Sequence, residues 1–345
     1  MKTKHIIIFF SVLAFVSCTG KKENYFSSFR KNIDLQGEIT NLEIPFSAGY
    51  LFLYDSLIIV TNTLGKIRYI HLFNRKDFKY LTSSGVIGRG PGEIINPFFA
   101  ILDNNMGVIW CMDHGRRKIL RFPIDSIMNN TDFLPSYGLP VPARKHIIIH
   151  YEPYNDELFS FYDDDPDILI SFFNQKGEIL DSLQIVNKIE KHIQSDPASS
   201  QNIVSYHYTF HPLKNKIAIA FRFSDILAIV DNKGNIINFI QGPNIINQTP
   251  SYTDPDLILT YFDMFSDENN IYCLYNGEKK QIVDTNGNPI HTFPKKLHVF
   301  DWKGKPVALI NFEFSVTSLV IDRQYKRIIT FSPEVGDIVC YELPF

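Results

Sequence analysis

The feature that most constrains this chain is a unit that recurs six times along it. Each copy has a short β-rich run, a polar turn, and a second apolar run that closes on an aromatic or branched residue. The second runs are Ile70–Asn74, Ile119–Phe122, Leu169–Asn174, Leu227–Asp231, Leu297–Asp301 and Ile338–Tyr341. Their partners are Ser56–Thr61, Gly107–Met112, Glu157–Phe161, Lys216–Phe221, Asn270–Leu274 and Arg327–Phe331. Runs rich in Ile, Val, Phe and Tyr, separated by Gly, Asn and Asp, are hairpin signals. Blocks of strands repeating at this spacing are the signature of a propeller. The chain is therefore read as all-β: a six-bladed β-propeller with four-stranded antiparallel blades.

Two alternatives stand beside that reading. A β-sandwich would also use many short strands, but its strands do not recur in blocks. A seventh second run at Gln281–Gly287 would make seven blades. It is read instead as an insertion, because the stretch from Val283 to Phe300 is too short for a blade. A ring leaves no open edge only if its ends meet. Asn32–Ile39 is expected to pair beside Ile338–Leu343 and close it. Short helices are expected at Asn187–Ser195 and Asp254–Phe265.

The N-terminus carries a different message. Lys2 and Lys4 precede an apolar run, Ile6–Val16, followed by Ser17 and Cys18. The run is too short to span a bilayer, which takes ~20 apolar residues, and has the layout of a secretory signal. Phe15-Val-Ser-Cys18 resembles a bacterial lipobox, with Phe15 in place of the usual Leu. The expected organisation is a lipoprotein signal peptide at 1–17, a tether at 18–30 beginning at an acylated (palmitate-bearing) Cys18, and the propeller at 31–345. An ordinary signal cut near Gly20 is the alternative. The expected address is the bacterial cell envelope, at the outer membrane rather than the inner. Cys111, Cys273 and Cys340 lie in apolar runs without CxxC spacing and are read as buried small hydrophobes.

The formal net charge is −3. Loss of Lys2 and Lys4 with the signal would make the mature chain more acidic. A nucleic-acid partner is excluded, because phosphate capture needs clustered Lys and Arg.

The most distinctive local sequence is Gly85-Val-Ile-Gly-Arg-Gly-Pro-Gly-Glu93. It is neither a P-loop nor a dinucleotide turn, since no Gly-Lys-Ser/Thr and no helical pattern follow. Arg89 and Glu93 are the candidate ligand-face residues, the competing reading being a blade-to-blade crossover with both bonded to nearby backbone. His146/His150 and His207/His211 are spaced four apart, but in a strand that is ~13 Å, too far to share one ion. Asp163–Asp167, Asp284–Asn288 and Asp231–Gly234 read as turns, and no metal or cofactor is expected. No nucleophile elbow, zincin motif or redox cysteine pair occurs.

Gly88–Glu93 on a connection between β-rich blades resembles the six-bladed propeller lipoproteins of Bacteroidota, a TolB-like and NHL-like class. Val299–Val307, Ser318–Asp322 and Ile338–Leu343 share the resemblance, which covers roughly the whole mature chain. It implies a lipid-anchored propeller with no catalytic residues to carry over. The expected function is binding of a protein or glycan ligand through one face of the ring. The alternatives are a propeller hydrolase or carbohydrate-active enzyme with a metal or acidic site at the central channel, and a subunit of an envelope complex.

Overall fold

The computed structural model describes residues 25–43, 49–62, 67–136, 138–142, 148–155, 157–163, 170–184, 205–244, 254, 256–283 and 287–344. Two N-terminal strands come first, β1 (Lys31–Leu35) and β2 (Glu38–Ile39). Blade 1 follows, with β3 (Leu51–Tyr54), β4 (Leu57–Thr61), β5 (Arg68–Asn74) and β6 (Tyr80–Val86). Blade 2 holds β7 (Pro97–Asp103), β8 (Val108–Asp113), β9 (Lys118–Pro123) and β10 (Gly138–Pro140). Helix α1 (Ile124–Asn129) lies between its last two strands. Blade 3 is β11 (Ile148–Pro153), β12 (Leu158–Asp163), β13 (Ile170–Asn174) and β14 (Ile179–Leu183). Blade 4 is β15 (Tyr206–Phe210), β16 (Lys216–Phe221), β17 (Ile226–Asp231) and β18 (Ile236–Gln241).

Blade 5 contains β19 (Ile258–Ser266) and β20 (Asn270–Lys279), then an inserted hairpin of β21 (Gln281–Val283) and β22 (Pro289–His291). It resumes with β23 (Lys296–Asp301) and β24 (Pro306–Phe312). Blade 6 is β25 (Ser318–Asp322), β26 (Arg327–Ser332) and β27 (Asp337–Glu342), completed by β2. Each blade is an antiparallel meander, so the architecture is a six-bladed propeller and each repeat unit is the middle hairpin of a blade. The segment read as an insertion is a hairpin that belongs to no blade.

Burial explains why those middle hairpins dominate the sequence. β4 and β8 are buried along their whole length, and β16 and β17 nearly so, because both faces of a blade pack on neighbouring blades. A strand buried on both faces reads as a continuous apolar run. The outer strand β14 is largely exposed and carries no such run, and β18 is half-buried rather than buried on both faces. Side-chain caps shape the turns: the Asp231 carboxylate accepts from the Lys233 and Asn235 amides, and Asp301 does the same for Lys303 and Lys305. Asn74 and Asn174 cap the equivalent turns of blades 1 and 3.

Ring closure divides the expected strand in two. Glu38 and Ile39 pair antiparallel with Cys340 and Val339, and the Thr40 amide donates to the Ile338 carbonyl at 3.0 Å. Residues 31–35 instead add a fifth strand to blade 5, parallel to β24. The chain crosses from one blade to the next at Gly37, where a Cβ would stand 2.5 Å from Val339 Cγ1.

Three further expectations need correction or lie outside the described residues. Asp254–Phe265 is not a helix: β19 occupies Ile258–Ser266, and two register shifts between Leu259 and Asp263 break its alternation. Those bulges blur a period of two into spacing that imitates a helix. Asn187–Ser195 lies outside the described residues. The end of the segment read as tether is part of the fold, since Phe29 is 6% exposed and Tyr25, Phe26 and Phe29 pack beside His298 between blades 4 and 5. The Tyr25 hydroxyl is 3.3 Å from His298 Nδ1. Residues 1–24, including Cys18, are outside the described residues.

Cys111 and Cys273 are fully buried and Cys340 partly so, all as free thiols. Burial raises each thiol above its ordinary range, Cys340 to about 11.

Candidate functional site: the central channel

The first strands of the six blades surround the axis. A cavity of about 370 Å³ lies there, walled by residues of β3, β7, β19 and β25, with His150 from β11. Its lining residues Asn104, Asp267 and Arg323 all belong to turns joining a first strand to a second, so it opens on that face. At this mouth the Tyr272 hydroxyl donates to Asp267 at 2.8 Å, and Arg323 pairs with the same carboxylate. Burial acts to raise the Asp267 titration, but the Arg323 hydrogen bond and the Asn269 and Asn270 amides hold it below the carboxylate range.

The inner end is aromatic on one side and polar on the other. The Phe99 ring lies 4.6 Å from the His150 ring and 4.8 Å from Tyr50, centroid to centroid. Asp263, beside the bulges of β19, faces the same space. His207 stands next to it, with Nδ1 3.9 Å from the Asp263 carboxylate, too long for a hydrogen bond. Arg222 follows directly after β16. Its backbone is fixed by bonds to Ser205 and Thr260, at 2.9 and 2.7 Å. Its charge is felt by Tyr50, Tyr162, His207 and Asp263.

Burial sets the protonation of this group. It pushes His150 down to about 3 and holds His207 well below its ordinary value, helped there by Arg222 and His150. Both imidazoles are therefore neutral at pH 7. Burial pushes Asp263 up to about 7, against the Met264 amide and Arg222, which pull it down. Glu152, two residues beyond His150, is also pushed up to about 7, with Lys214 opposing. Within this group His150 Nε2, His207 Nε2 and Arg222 Nε have no hydrogen-bond partner among the described residues, as is also true of buried atoms elsewhere such as Trp110 Nε1 and His298 Nε2. Buried polar groups in a native protein are normally satisfied, so water or a bound group is expected to supply these partners.

The sequence-stated candidates sit elsewhere. Arg89 and Glu93 lie on the connection from blade 1 to blade 2 and line no part of the cavity. Glu93 closes its own loop by accepting from the Gly90 amide at 2.6 Å. Arg116 clamps it from blade 2, donating to the Arg89 and Gly90 carbonyls at 3.0 and 2.6 Å and to that of Glu93. Gly88 is required by this closure, since a Cβ there would lie 2.1 Å from the Glu93 carboxylate. Of the three loop glycines only Gly92 takes a positive φ.

The histidines combine across strands rather than along them. His150 and His207 come from neighbouring blades to the same end of the channel. His211 turns to Trp302 and accepts from the Leu213 amide. His146, Asp164–Asp167 and Asp284 lie outside the described residues. Among the described residues no three His, Cys, Asp or Glu side chains gather as an ion would require. Tyr50, Phe99, Arg222 and Asp263 carry no linear motif. Their only sequence signal is that they fall on, or border, first or second strands of blades.

A ring of six four-stranded blades, closed by an N-terminal strand around a lined cavity, defines a six-bladed propeller with an axial site. The chain belongs to the TolB-like 6-blade propeller-like family, which matches residues 28–324. A member of the duf4221 family from Bacteroides vulgatus has a similar structure: TM-score 0.60 and 11% identity over 89% of this chain and 97% of that one. A protein from Bacteroides fragilis is similar at TM-score 0.53 and 12% identity, over 90% of this chain and 98% of that one. The calcium-binding protein regucalcin from Agrobacterium tumefaciens reaches TM-score 0.51 at 10% identity, over 90% and 95%. These likenesses extend to the fold. No curated protein matches the chain.

Proposed function

We propose that this protein is an envelope-tethered binding propeller that takes a small polar ligand into its central channel through the mouth at Asn104, Asp267 and Arg323. The observation that carries this reading is a cavity lined by Tyr50, Phe99, Asp263 and His150, whose Nε2 has no partner among the described residues, with His207 beside Asp263. The cavity lies in the ~300–1,000 Å³ range of small-molecule sites. Binding is favoured over a metal-dependent hydrolase because the polar groups are spread around the axis and, among the described residues, gather no ion-sized cluster. A half-buried Asp263 in the field of Arg222, with neutral imidazoles, suits recognition by hydrogen bonds. The test is saturable binding of a soluble ligand, measured by calorimetry. Loss of that binding in Phe99→Ala supports the channel, and unchanged binding overturns it.

The tether belongs to the same proposal. Its support is the lipobox-like Phe15–Cys18 and the placement of Tyr25–Phe29 against the ring, which leaves a short stretch between Cys18 and the fold. Mass spectrometry of the mature chain is expected to find Cys18 as its acylated first residue. A chain starting beyond Cys18 overturns the tether.

A further inference from the structure

The inserted hairpin of β21 and β22 stands apart from the packing of the ring. Among the described residues it pairs with no other strand, and it is apolar on both faces. Ile282 stands opposite Ile290 on one face, and Val283 opposite Pro289 on the other. Ile282, Val283 and Ile290 are 51%, 72% and 47% exposed. A two-stranded hairpin is marginal in water unless something covers its apolar surface. The hairpin interrupts the connection from the second to the third strand of blade 5. It therefore leaves the ring on the face opposite the channel mouth, which lies among first-to-second turns. On that same face Ile67, 75% exposed, ends the corresponding connection of blade 1.

The N-terminal segment meets the ring beside the root of this hairpin. Lys296 opens β23, the strand that resumes after the hairpin, and its Nζ lies 4.9 Å from the centroid of the Phe26 ring. Tyr275, the partner of Lys296 on β20, has its ring 6.4 Å from that of Phe26. Only residues 19–24 separate Cys18 from Tyr25. Fully extended, that stretch spans at most ~25 Å. With Cys18 acylated, as proposed above, the hairpin face is held close to the lipid and the channel mouth is turned away from it.

We infer that the hairpin is a second membrane contact, with Ile282, Val283 and Ile290 set into the headgroup–acyl boundary of a phospholipid bilayer. The inference rests on the Cys18 tether proposed above and goes beyond it by naming the surface that meets the lipid. A protein docked on one face of the hairpin would leave the other in water, whereas a bilayer boundary closes around both. The turn sequence Asp284–Asn288 is polar and suits the headgroup layer. Lys279 and Lys295, beside the root, are paired with Asp256 and Glu334. Charge therefore supplies little of the contact, and buried apolar surface supplies most of it.

The experiment couples the unacylated mature chain, through its Cys18 thiol, to vesicles of phosphatidylethanolamine and phosphatidylglycerol carrying a maleimide-headgroup lipid. Coupling supplies the attachment whether or not the cell acylates Cys18, so the tether itself is judged separately by the mass spectrometry above. Amide hydrogen exchange is compared on and off the vesicles. The expected result is at least tenfold slower exchange over Gln281–His291 on vesicles, little altered by high salt. The first-to-second turn of blade 4 at Leu213, on the mouth face, is expected to exchange equally in both states. A variant combining Ile282→Ser, Val283→Ser and Ile290→Ser is expected to lose the slowing, with circular dichroism unchanged. Equal exchange over Gln281–His291 on and off vesicles would overturn the inference and leave the tether standing. Slowing that appears off vesicles as protein concentration rises would assign the hairpin to a second copy and overturn it too. Equal slowing at Leu213 and at the hairpin would report crowding at the vesicle surface, again overturning it.

Discussion

Arg75 reaches from the turn after the third strand of blade 1 to Asp322, on the first strand of blade 6, with Nη2 2.6 Å from the carboxylate. The two residues lie 247 positions apart, and their pair stitches the seam where the ring's ends meet. Arg327 holds the other oxygen of Asp322 at 3.1 Å and also donates to the Arg75 carbonyl. Asp322 is fully buried, and although burial acts to raise it, these donors hold its carboxyl below the usual range. Removing one partner of a buried pair leaves an uncompensated charge, at a cost of ~3 kcal/mol. Asp322→Asn is therefore expected to lower the urea midpoint substantially. An unchanged midpoint would show that the seam does not rely on this pair.

The N-terminal wedge offers a second test. Phe29 sits among Ala218, Ala220, Leu227 and Ile229 of blade 4 and Phe300 of blade 5. Truncating a buried Phe to Ala leaves a cavity and costs ~3–5 kcal/mol. Phe29→Ala is expected to destabilise the ring on that scale in equilibrium denaturation. A loss below ~1 kcal/mol would mean that the segment lies loosely on the surface.

The pH dependence of stability carries opposing contributions. His150, His207 and His298 are all held below 6.5, chiefly by burial. The unfolded chain takes up those protons more readily, so their contribution is complete above ~6.5 and is lost as pH falls. Asp263 and Glu152 act in the other direction. Pushed up to about 7 by burial, they favour the folded state when protonated, and that contribution is lost as pH rises from ~4 through 7. His298→Phe is expected to shrink the loss of stability between pH 7 and pH 5. Asp263→Asn is expected to gain stability relative to the parent as pH rises from 5 to 8. Thermal melts across this range check both signs, and parallel curves for parent and variants would contradict them.

The limits of the sequence can be traced to particular strands. Second and third strands such as Leu57–Thr61 and Ile226–Asp231 are buried on both faces, so they appear as apolar runs that mark the blades plainly. Fourth strands such as Ile179–Leu183 are exposed and left no comparable mark. First strands face the axis as well as neighbouring blades, so β15 mixes His207 and Thr209 with Tyr206, Tyr208 and Phe210. The site lies on these least periodic elements. His150 and Asp263 are 113 positions apart in sequence, and His207 comes from the blade between them. Convergence of this kind is set by the ring closure, and no local spacing encodes it. The Gly88–Glu93 loop drew notice for the opposite reason. Its compact closure around Glu93 demands glycine, which makes a strong local pattern with a structural cause.

The central claim is that ligand occupies the axis of the ring, and cysteine protection tests it most directly. Ile101 lines the cavity, whereas Leu81 is exposed on the outer strand of blade 1. The native thiols are quiet against this background, because Cys111 and Cys273 are buried and Cys340 is pushed up to about 11. In a Cys18→Ser chain, Ile101→Cys is labelled with a small methanethiosulfonate reagent, with and without a saturating concentration of a ligand found by calorimetry. The account predicts at least tenfold slower labelling of Ile101→Cys in the presence of ligand, and no change at Leu81→Cys. Equal labelling rates at Ile101→Cys under saturating ligand would contradict it.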